Sequence, residues 1–132
     1  GTSPKGVDCS GFVRTVLYLH DIIIPRNASQ QAKVGKRIQP QDDYADLQPG
    51  DLLFFGSKNQ DGSPKRVVHV GISLGGCRFI HSLGYVHTGS FNPLDADYDE
   101  YERNRFLFAA RILPYVNQDT QILTTDNISL YQ

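Results

Sequence analysis

Cys9 stands where its thiol could act as a nucleophile. An apolar pattern over residues 12–17 has the spacing of one buried helix face, which predicts a helix from about residue 10 to 20. Cys9 then lies at or beside the first residue of that helix, where unpaired backbone N–H groups and the helix dipole favour a thiolate over a thiol. Cys9 is therefore a candidate nucleophile. The alternative is a small buried apolar residue without chemistry.

Two histidines stand on neighbouring predicted strands. Residues 67–74 are rich in β-branched side chains, and the glycines at 75–76 predict a tight turn into a return strand over 77–82. This hairpin places His69 and His81 in one neighbourhood. With an ideal two-residue turn, His81 lies one position away from the residue opposite His69. A bulge or a longer turn would bring both side chains onto one face.

A cysteine at a helix start and two nearby histidines form a possible nucleophile, base and orienting group. His69 could accept the proton of Cys9 and later protonate a leaving amine. His81 could hold the tautomer and direction of the His69 ring through one of its own nitrogens. These three residues could thus support nucleophilic catalysis by a thiol on an amide.

Other interpretations of the same residues remain open. A single strand histidine is more often structural than catalytic, and His20 and His87 are predicted to be structural because they have no partner pattern. Cys9, His69 and His81 could also form an open zinc site, although the chain has no Cys-x-x-Cys pair. We therefore predict no metal site. The acidic, tyrosine-rich residues 95–102 lack the spacing of a calcium loop and are predicted to be a solvated loop.

The remaining elements place helices before an antiparallel run of strands, which is the α+β pattern. The predicted second helix covers residues 27–34, with Asn27 as its N-cap and Gly35 as its stop. The other expected elements are an irregular segment (36–44), a turn (47–51), a strand buried on both faces (52–55), a polar loop (56–65), a short strand (around 85–87), a loop with no more than one helical turn (92–104) and a last strand (106–112).

Composition describes one ordinary globular domain. The chain has 132 residues and a formal net charge of −1, so it has no basic footprint for nucleic acid. No apolar run approaches the roughly 20 residues that span a bilayer. Residues 1–6 have the composition of a loop, which predicts that the sequence is a piece of a longer protein.

Four segments resemble, in order, the motifs of the NlpC-type cell-wall cysteine peptidases, a branch of the papain-like superfamily. They are DCSGFV at 8–13, LQPGDLLFF at 47–55, HVGI at 69–72 and FIHS at 79–82. The similarity extends over about residues 2–113. It implies a papain-like core in which N-terminal helices pack on an antiparallel sheet of about five to six strands.

The resemblance also implies roles for residues. It makes Cys9 the nucleophile, His69 the base and His81 the orienting residue, with backbone N–H groups at the helix start facing the oxyanion. Asp8 matches a position that contacts the free amino end of the substrate, and Ser10 lies beside the substrate in relatives. Relatives cleave the bond between γ-D-glutamate and a diamino acid, meso-diaminopimelate or L-lysine, in peptidoglycan stem peptides. They use no cofactor.

Relatives carry a helix and an aromatic-Gly-Gly segment ahead of the first motif, and neither is found in this sequence. We therefore expect residues 1–113 to be a catalytic domain that lacks its first helix, followed by a tail at 114–132. Upstream Src-homology-3-like domains and a cell-envelope location, periplasmic or secreted, are expected by the same resemblance. The alternatives are an amidase or acyltransferase of the same fold, or an inactive wall-binding module. The intact set of Cys9, His69 and His81 speaks against the last.

Overall fold

The computed structural model describes residues 2–3, 6–7, 9–19, 22–25, 27–41, 43–115 and 123–124. The helices are α1 (Cys9–Leu19), α2 (Ala28–Gln31) and α3 (Glu100–Arg105), with a 3-10 turn at Leu113–Tyr115. The strands are β1 (Thr2–Ser3), β2 (Gly6–Val7), β3 (Ile22–Ile23), β4 (Lys36–Ile38), β5 (Leu52–Lys58), β6 (Pro64–Gly75), β7 (Arg78–Ser82), β8 (Val86–Ser90), β9 (Phe106–Arg111) and β10 (Leu123–Thr124). No helix in the described ranges is both long and apolar enough to cross a membrane.

Six strands form the main sheet in the order β4-β9-β5-β6-β7-β8, and every neighbouring pair is antiparallel. Strand β1 pairs with β2, and β10 pairs with β3, each as a separate two-stranded sheet. Helix α1 packs against β6 and β7, and α2 packs against β6. The α+β class and the expected number of strands are confirmed.

The central strand β5 separates two apolar clusters. Leu52 and Phe54 belong to a cluster that includes Phe12, Val13 and Leu17 of α1. Leu53 and Phe55 belong to a second cluster with Phe79, Phe91 and Phe106. All four residues of 52–55 are fully buried, as the continuous apolar run predicts. Burying each such side chain stabilises the fold by roughly 1.5–3 kcal/mol.

The structure corrects three predictions about β4, the β5–β6 loop and α2. The segment expected to be irregular contains β4, an edge strand whose Lys36 and Arg37 are exposed, so it carries no apolar alternation and forms by pairing with β9. The expected loop at 56–65 shrinks to residues 59–63, because β5 and β6 continue as an exposed ribbon beyond the core. The second helix ends at Gln31, earlier than predicted, although Asn27 is its N-cap and accepts a hydrogen bond from the Gln30 backbone N–H at 2.9 Å.

Candidate active site

A bulge in the hairpin aligns the two histidines. The β6–β7 register is irregular between Ser73 and Gly75, where Gly75 adopts a φ of 102°. Beyond this irregularity Gly71 pairs with His81. Since residues two apart on a strand point to the same face, His69 shares the face of Gly71 and therefore of His81. In an ideal hairpin the two histidine side chains would not share a face of the sheet. The bulge shifts the register so that they do.

The close approach of the strands at Gly71 leads to a stability prediction. A Cβ atom there would lie 3.1 Å from the Ile80 carbonyl oxygen and 3.2 Å from the His81 Cβ. Gly71→Val should therefore force β6 and β7 apart and lower the free energy of unfolding by about 1–3 kcal/mol, as overpacking does. Urea denaturation measures this, with Lys65→Val, at an exposed position of β6, as the control. Equal stability of the two variants would contradict the proposed crowding.

The two imidazole rings form a buried pair. His69 Nε2 lies 2.7 Å from His81 Nδ1, and the two residues are 2% and 0% exposed. The Phe55 ring packs on His69 and the Phe79 ring on His81, with centroid distances of 5.4 and 5.0 Å. This packing fixes both rings. Because His69 uses Nε2 toward His81, Nδ1 is the nitrogen left to act on a thiol.

Glu102 lies beside the two histidines and was not identified as a site residue from the sequence. Its Oε2 lies 3.3 Å from His69 Nε2 and 3.7 Å from His81 Nδ1, although it accepts no hydrogen bond from any residue the structure describes. Arg105 Nε donates to Oε1 at 2.7 Å, and a terminal nitrogen of its guanidinium forms an ion pair with the same oxygen at 2.6 Å. Glu102 is fully buried, so the prediction that residues 95–102 form a solvated loop is wrong at its end.

A signal for the helix that carries Glu102 was present in the sequence. Asp99 and Glu102 have the spacing of a capping box, and Asp99 Oδ1 accepts a hydrogen bond from the Glu102 backbone N–H at 3.0 Å. This spacing predicts a helix start. It does not predict which side of a helix as short as α3 is buried, because the surrounding residues are polar and show no apolar stripe.

Burial shapes the protonation of this cluster. It lowers the pKa of His69 to about 3, and the neighbouring His81 and Arg105 charges act in the same direction. Burial also lowers the pKa of His81 to about 4, helped by His87 and opposed by Asp99. The pKa of Glu102 is raised by burial, while the hydrogen bonds and charge of Arg105 oppose the shift. The rings therefore rest neutral, and an ionised Glu102 is the nearby group that would stabilise an imidazolium.

Cys9 is the first residue of α1 and is half-buried. Its helix packs against β6 and β7, the strands that carry the two histidines. Ser10 is also half-buried, and Asp8 lies outside the described residues. The other cysteine, Cys77, donates from Sγ to the Asp43 carbonyl at 3.4 Å, and burial raises the pKa of its thiol, which keeps it protonated.

Gln31 ties the start of α1 to the chain before α2, which leads to a second stability prediction. Its buried Nε2 donates to the carbonyls of Ser10, at 3.3 Å, and Pro25, at 2.9 Å. Gln31→Ala should lower the free energy of unfolding by about 1–3 kcal/mol, because two half-buried carbonyls lose their donor. Chemical denaturation measures the loss. Gln30→Ala, at an exposed neighbour, is the control, and a Gln31 variant that is no less stable would overturn the assignment.

The zinc site considered for Cys9, His69 and His81 is not found. Within the described part of the chain, two groups bring three ligand atoms within 4.8 Å of one another, and neither contains Cys9. One is His69, His81 and Glu102, the cluster described above. The other joins His81 to His87 and Asp99.

Comparison with known proteins agrees with this architecture. The model of the NlpC/P60 family matches residues 1–106. A curated relative, the "Gamma-D-glutamyl-L-lysine dipeptidyl-peptidase" of Bacillus subtilis strain 168, is 42% identical over 82 residues, covering 62% of this chain and 25% of that protein. The "Murein DD-endopeptidase MepS/Murein LD-carboxypeptidase" of Escherichia coli strain K12 is 33% identical over 114 residues, covering 86% of this chain and 53% of that protein.

A solved structure shows the same fold. The chain superimposes on an NlpC/P60 family protein from Bacillus cereus with a TM-score of 0.64 and 30% identity, over 83% of this chain and 32% of that one. The chain thus spans between a quarter and about half of the length of the curated relatives described above. The match to the family model extends from the first residue into β9 and includes all four motifs singled out in the sequence. The chain belongs to the NlpC/P60 family.

Proposed function

We propose that this chain is the catalytic domain of a peptidoglycan hydrolase that cleaves the γ-D-glutamyl–diamino acid bond of stem peptides through a Cys9 thioester. The observation that carries the proposal is the buried pair of His69 and His81 on the strands against which the helix of Cys9 packs. Two adjacent buried imidazoles beside a carboxylate are not needed to fill a hydrophobic core. Acyl-transfer enzymes use such residues as a base and its orienting group.

The first half-reaction breaks the amide. His69 Nδ1 takes the proton of the Cys9 thiol, and the thiolate attacks the γ-carbonyl carbon of D-glutamate. Backbone N–H groups at the start of α1, including that of Cys9, stabilise the oxyanion. The imidazolium then gives its proton to the nitrogen of the diamino acid, the C–N bond breaks, and the γ-glutamyl group remains on sulfur as a thioester.

The second half-reaction reverses the proton path. Water loses a proton to His69 Nδ1 as its oxygen attacks the thioester carbon. The C–S bond breaks, the thiolate of Cys9 regains the proton, and a free γ-carboxyl group leaves. His81 accepts from His69 Nε2–H throughout, which keeps Nδ1 directed at the reacting atoms, while Glu102 stabilises the positive charge on His69 in each half.

Substrate contacts and the wider protein complete the proposal. Asp8 contacts the free amino end of the stem peptide and Ser10 lies beside it. Residues 1–113 form the catalytic domain and 114–132 the tail, in which β10 pairs with β3. The full protein acts in the cell envelope and carries Src-homology-3-like domains upstream of this one. The wall-related names of the relatives support this location.

The name of the Escherichia coli relative, a DD-endopeptidase and LD-carboxypeptidase, suggests a second candidate bond. Its similarity covers more of this chain than that of the Bacillus subtilis relative. That reaction would use the same thiol on the bond that crosslinks two stem peptides. An amidase or acyltransferase would use the thiol on a different amide, and an inactive wall-binding module would not use it at all.

Product analysis by liquid chromatography and mass spectrometry separates these candidate functions. The substrates are L-Ala-γ-D-Glu-L-Lys, its meso-diaminopimelate counterpart and a purified crosslinked muropeptide dimer. We expect release of L-Ala-γ-D-Glu from one or both tripeptides. Release of monomers from the dimer alone would instead support cleavage of the crosslink, and intact substrates in all three samples would contradict hydrolase activity.

A further inference from the structure

A second cluster lies on the side of His81 that faces away from His69. His81 Nδ1 faces His69, so its other nitrogen, Nε2, points toward Asp99, whose Oδ2 lies 3.8 Å away. The ring of His87, on β8, lies 4.2 Å from the ring of His81, measured between centroids. One ligand atom from each of the three residues lies within 4.8 Å of the others. The proposed peptidase mechanism uses neither His87 nor Asp99.

His81 Nε2 lacks the partner that a buried polar atom normally has. The residue is 0% exposed, and Nε2 makes no hydrogen bond within the part of the chain that the structure describes. Such an atom costs free energy unless something binds it. This atom faces Asp99 Oδ2, and the cluster of His81, His87 and Asp99 has the spacing that a bound ion would bridge.

His87 and Asp99 each keep one atom that can bind an ion. His87 Nδ1 lies 3.2 Å from the Tyr85 carbonyl oxygen, which can only accept, so Nδ1 carries the proton and Nε2 is left as a ligand atom. A backbone carbonyl that orients a histidine in this way is the usual support of a metal ligand. Asp99 uses Oδ1 to cap α3, which leaves Oδ2.

Two imidazole nitrogens and one carboxylate oxygen form a ligand set that Zn²⁺ and similar ions prefer. His87 and Asp99 are half-buried, so an ion can reach the cluster from solvent. We propose that His81, His87 and Asp99 form an inhibitory site for a divalent transition-metal ion such as Zn²⁺. The inhibition, though not the binding, rests on the proposed peptidase function.

Inhibition follows from the tautomers of two linked rings. A metal on His81 Nε2 places the single proton of that ring on Nδ1, where it must donate to His69 Nε2. The proton of His69 then resides on Nδ1. His69 cannot become an imidazolium without bringing two N–H groups together at 2.7 Å. It can therefore neither accept a proton from Cys9 nor protonate a leaving amine.

Metal binding is tested without any substrate. Isothermal titration calorimetry of Zn²⁺ into the Cys9→Ala variant should show one binding site. The Co²⁺ complex of the same variant should show ligand-field bands in its visible absorption spectrum. Binding should weaken by about tenfold or more in His87→Ala and in Asp99→Asn, which retains a capping side chain. Asp97→Asn, which removes a surface pair with Arg78, is the control and should bind normally.

Two different metal sites would give different results. If the ion binds Cys9 and His69 instead, wild-type protein binds it with a sulfur-to-cobalt charge-transfer band and Cys9→Ala does not bind it. If it binds His69, His81 and Glu102, His87→Ala keeps full affinity. Either result overturns the proposal, as does the absence of a saturable site in folded Cys9→Ala protein.

Inhibition is measured on the wild type and on each variant relative to its own metal-free rate. We expect Zn²⁺ to inhibit hydrolysis of the tripeptide, and His87→Ala and Asp99→Asn to raise the inhibition constant at least about tenfold. Unchanged inhibition constants would overturn the regulatory role. A wild type that binds Zn²⁺ at this site but never hydrolyses peptide would refute the peptidase proposal and leave the metal site standing.

Discussion

Cys9→Ala is expected to reduce hydrolysis of L-Ala-γ-D-Glu-L-Lys by roughly 10⁴-fold or more, to the limit of detection. The thiolate forms the covalent bond of the proposed thioester, and the alanine side chain has no atom that can replace it. Initial rates of tripeptide cleavage, followed by mass spectrometry, measure the loss. Because the helix start is half-buried and alanine is smaller than cysteine, the variant should fold.

Cys77→Ala is the matched control for this substitution. Cys77 is half-buried like Cys9, but it lies at the turn of the hairpin, and burial raises the pKa of its thiol. This variant should keep most of the wild-type rate. If Cys9→Ala retains substantial activity while folded, or if the two variants lose activity equally, the thiol of Cys9 is not the nucleophile.

Glu102→Gln is expected to lower kcat for the same tripeptide by about 10- to 100-fold, with little change in KM. An opposite charge at 3–4 Å shifts the pKa of a partner by roughly 1–3 units, and the Arg105 charge offsets part of that effect here. The amide keeps the shape of the carboxylate but loses its charge. It should therefore leave substrate binding intact while removing support for the His69 imidazolium, which both proposed half-reactions require.

Glu100→Gln provides the control, since Glu100 is the first residue of α3 and is exposed. It removes the same charge from the same helix without touching the histidines, and its kcat should stay near that of the wild type. A purely structural role for Glu102 would instead lower thermal stability without a selective effect on kcat. Normal kcat in Glu102→Gln would mean that Glu102 acts as a neutral group.

A second readout separates positioning from general destabilisation. Iodoacetamide reacts with the thiolate of Cys9 without needing a bound peptide. If Glu102 supports His69 as a base, alkylation of Cys9 at neutral pH should slow in Glu102→Gln and stay normal in Glu100→Gln. Glu102→Asp, which restores a carboxylate on a shorter side chain, should recover part of the rate.

The sequence predicted the scaffold of the site through local signals. Helix α1 follows from its apolar spacing, and the hairpin follows from β-branched residues around two glycines. These signals are local because each element carries its own periodicity or turn chemistry. They were enough to bring Cys9, His69 and His81 forward as candidates.

What the sequence could not predict depends on contacts between distant segments. The bulge before Gly75 changes the register by one residue, and either register satisfies the turn chemistry of the glycines. The burial of Glu102 depends on α3 packing against the sheet. Because its neighbours in α3 are polar, the sequence does not indicate which face of the helix is buried. Strand β4 likewise exists because β9 offers it an edge. Long-range pairing decides all three cases.

The central claim is that Cys9, activated by His69, attacks the γ-carbonyl of D-glutamate in a stem peptide. An affinity label tests it most directly: L-Ala-γ-D-Glu in which the γ-carboxyl is replaced by a diazomethyl ketone, followed by peptide mass spectrometry. We predict one equivalent of label on Cys9, none on Cys77, and much slower labelling in His69→Ala. Equal labelling of both cysteines would contradict the account. So would a label with D-Ala in place of L-Ala that reacts with Cys9 at the same rate.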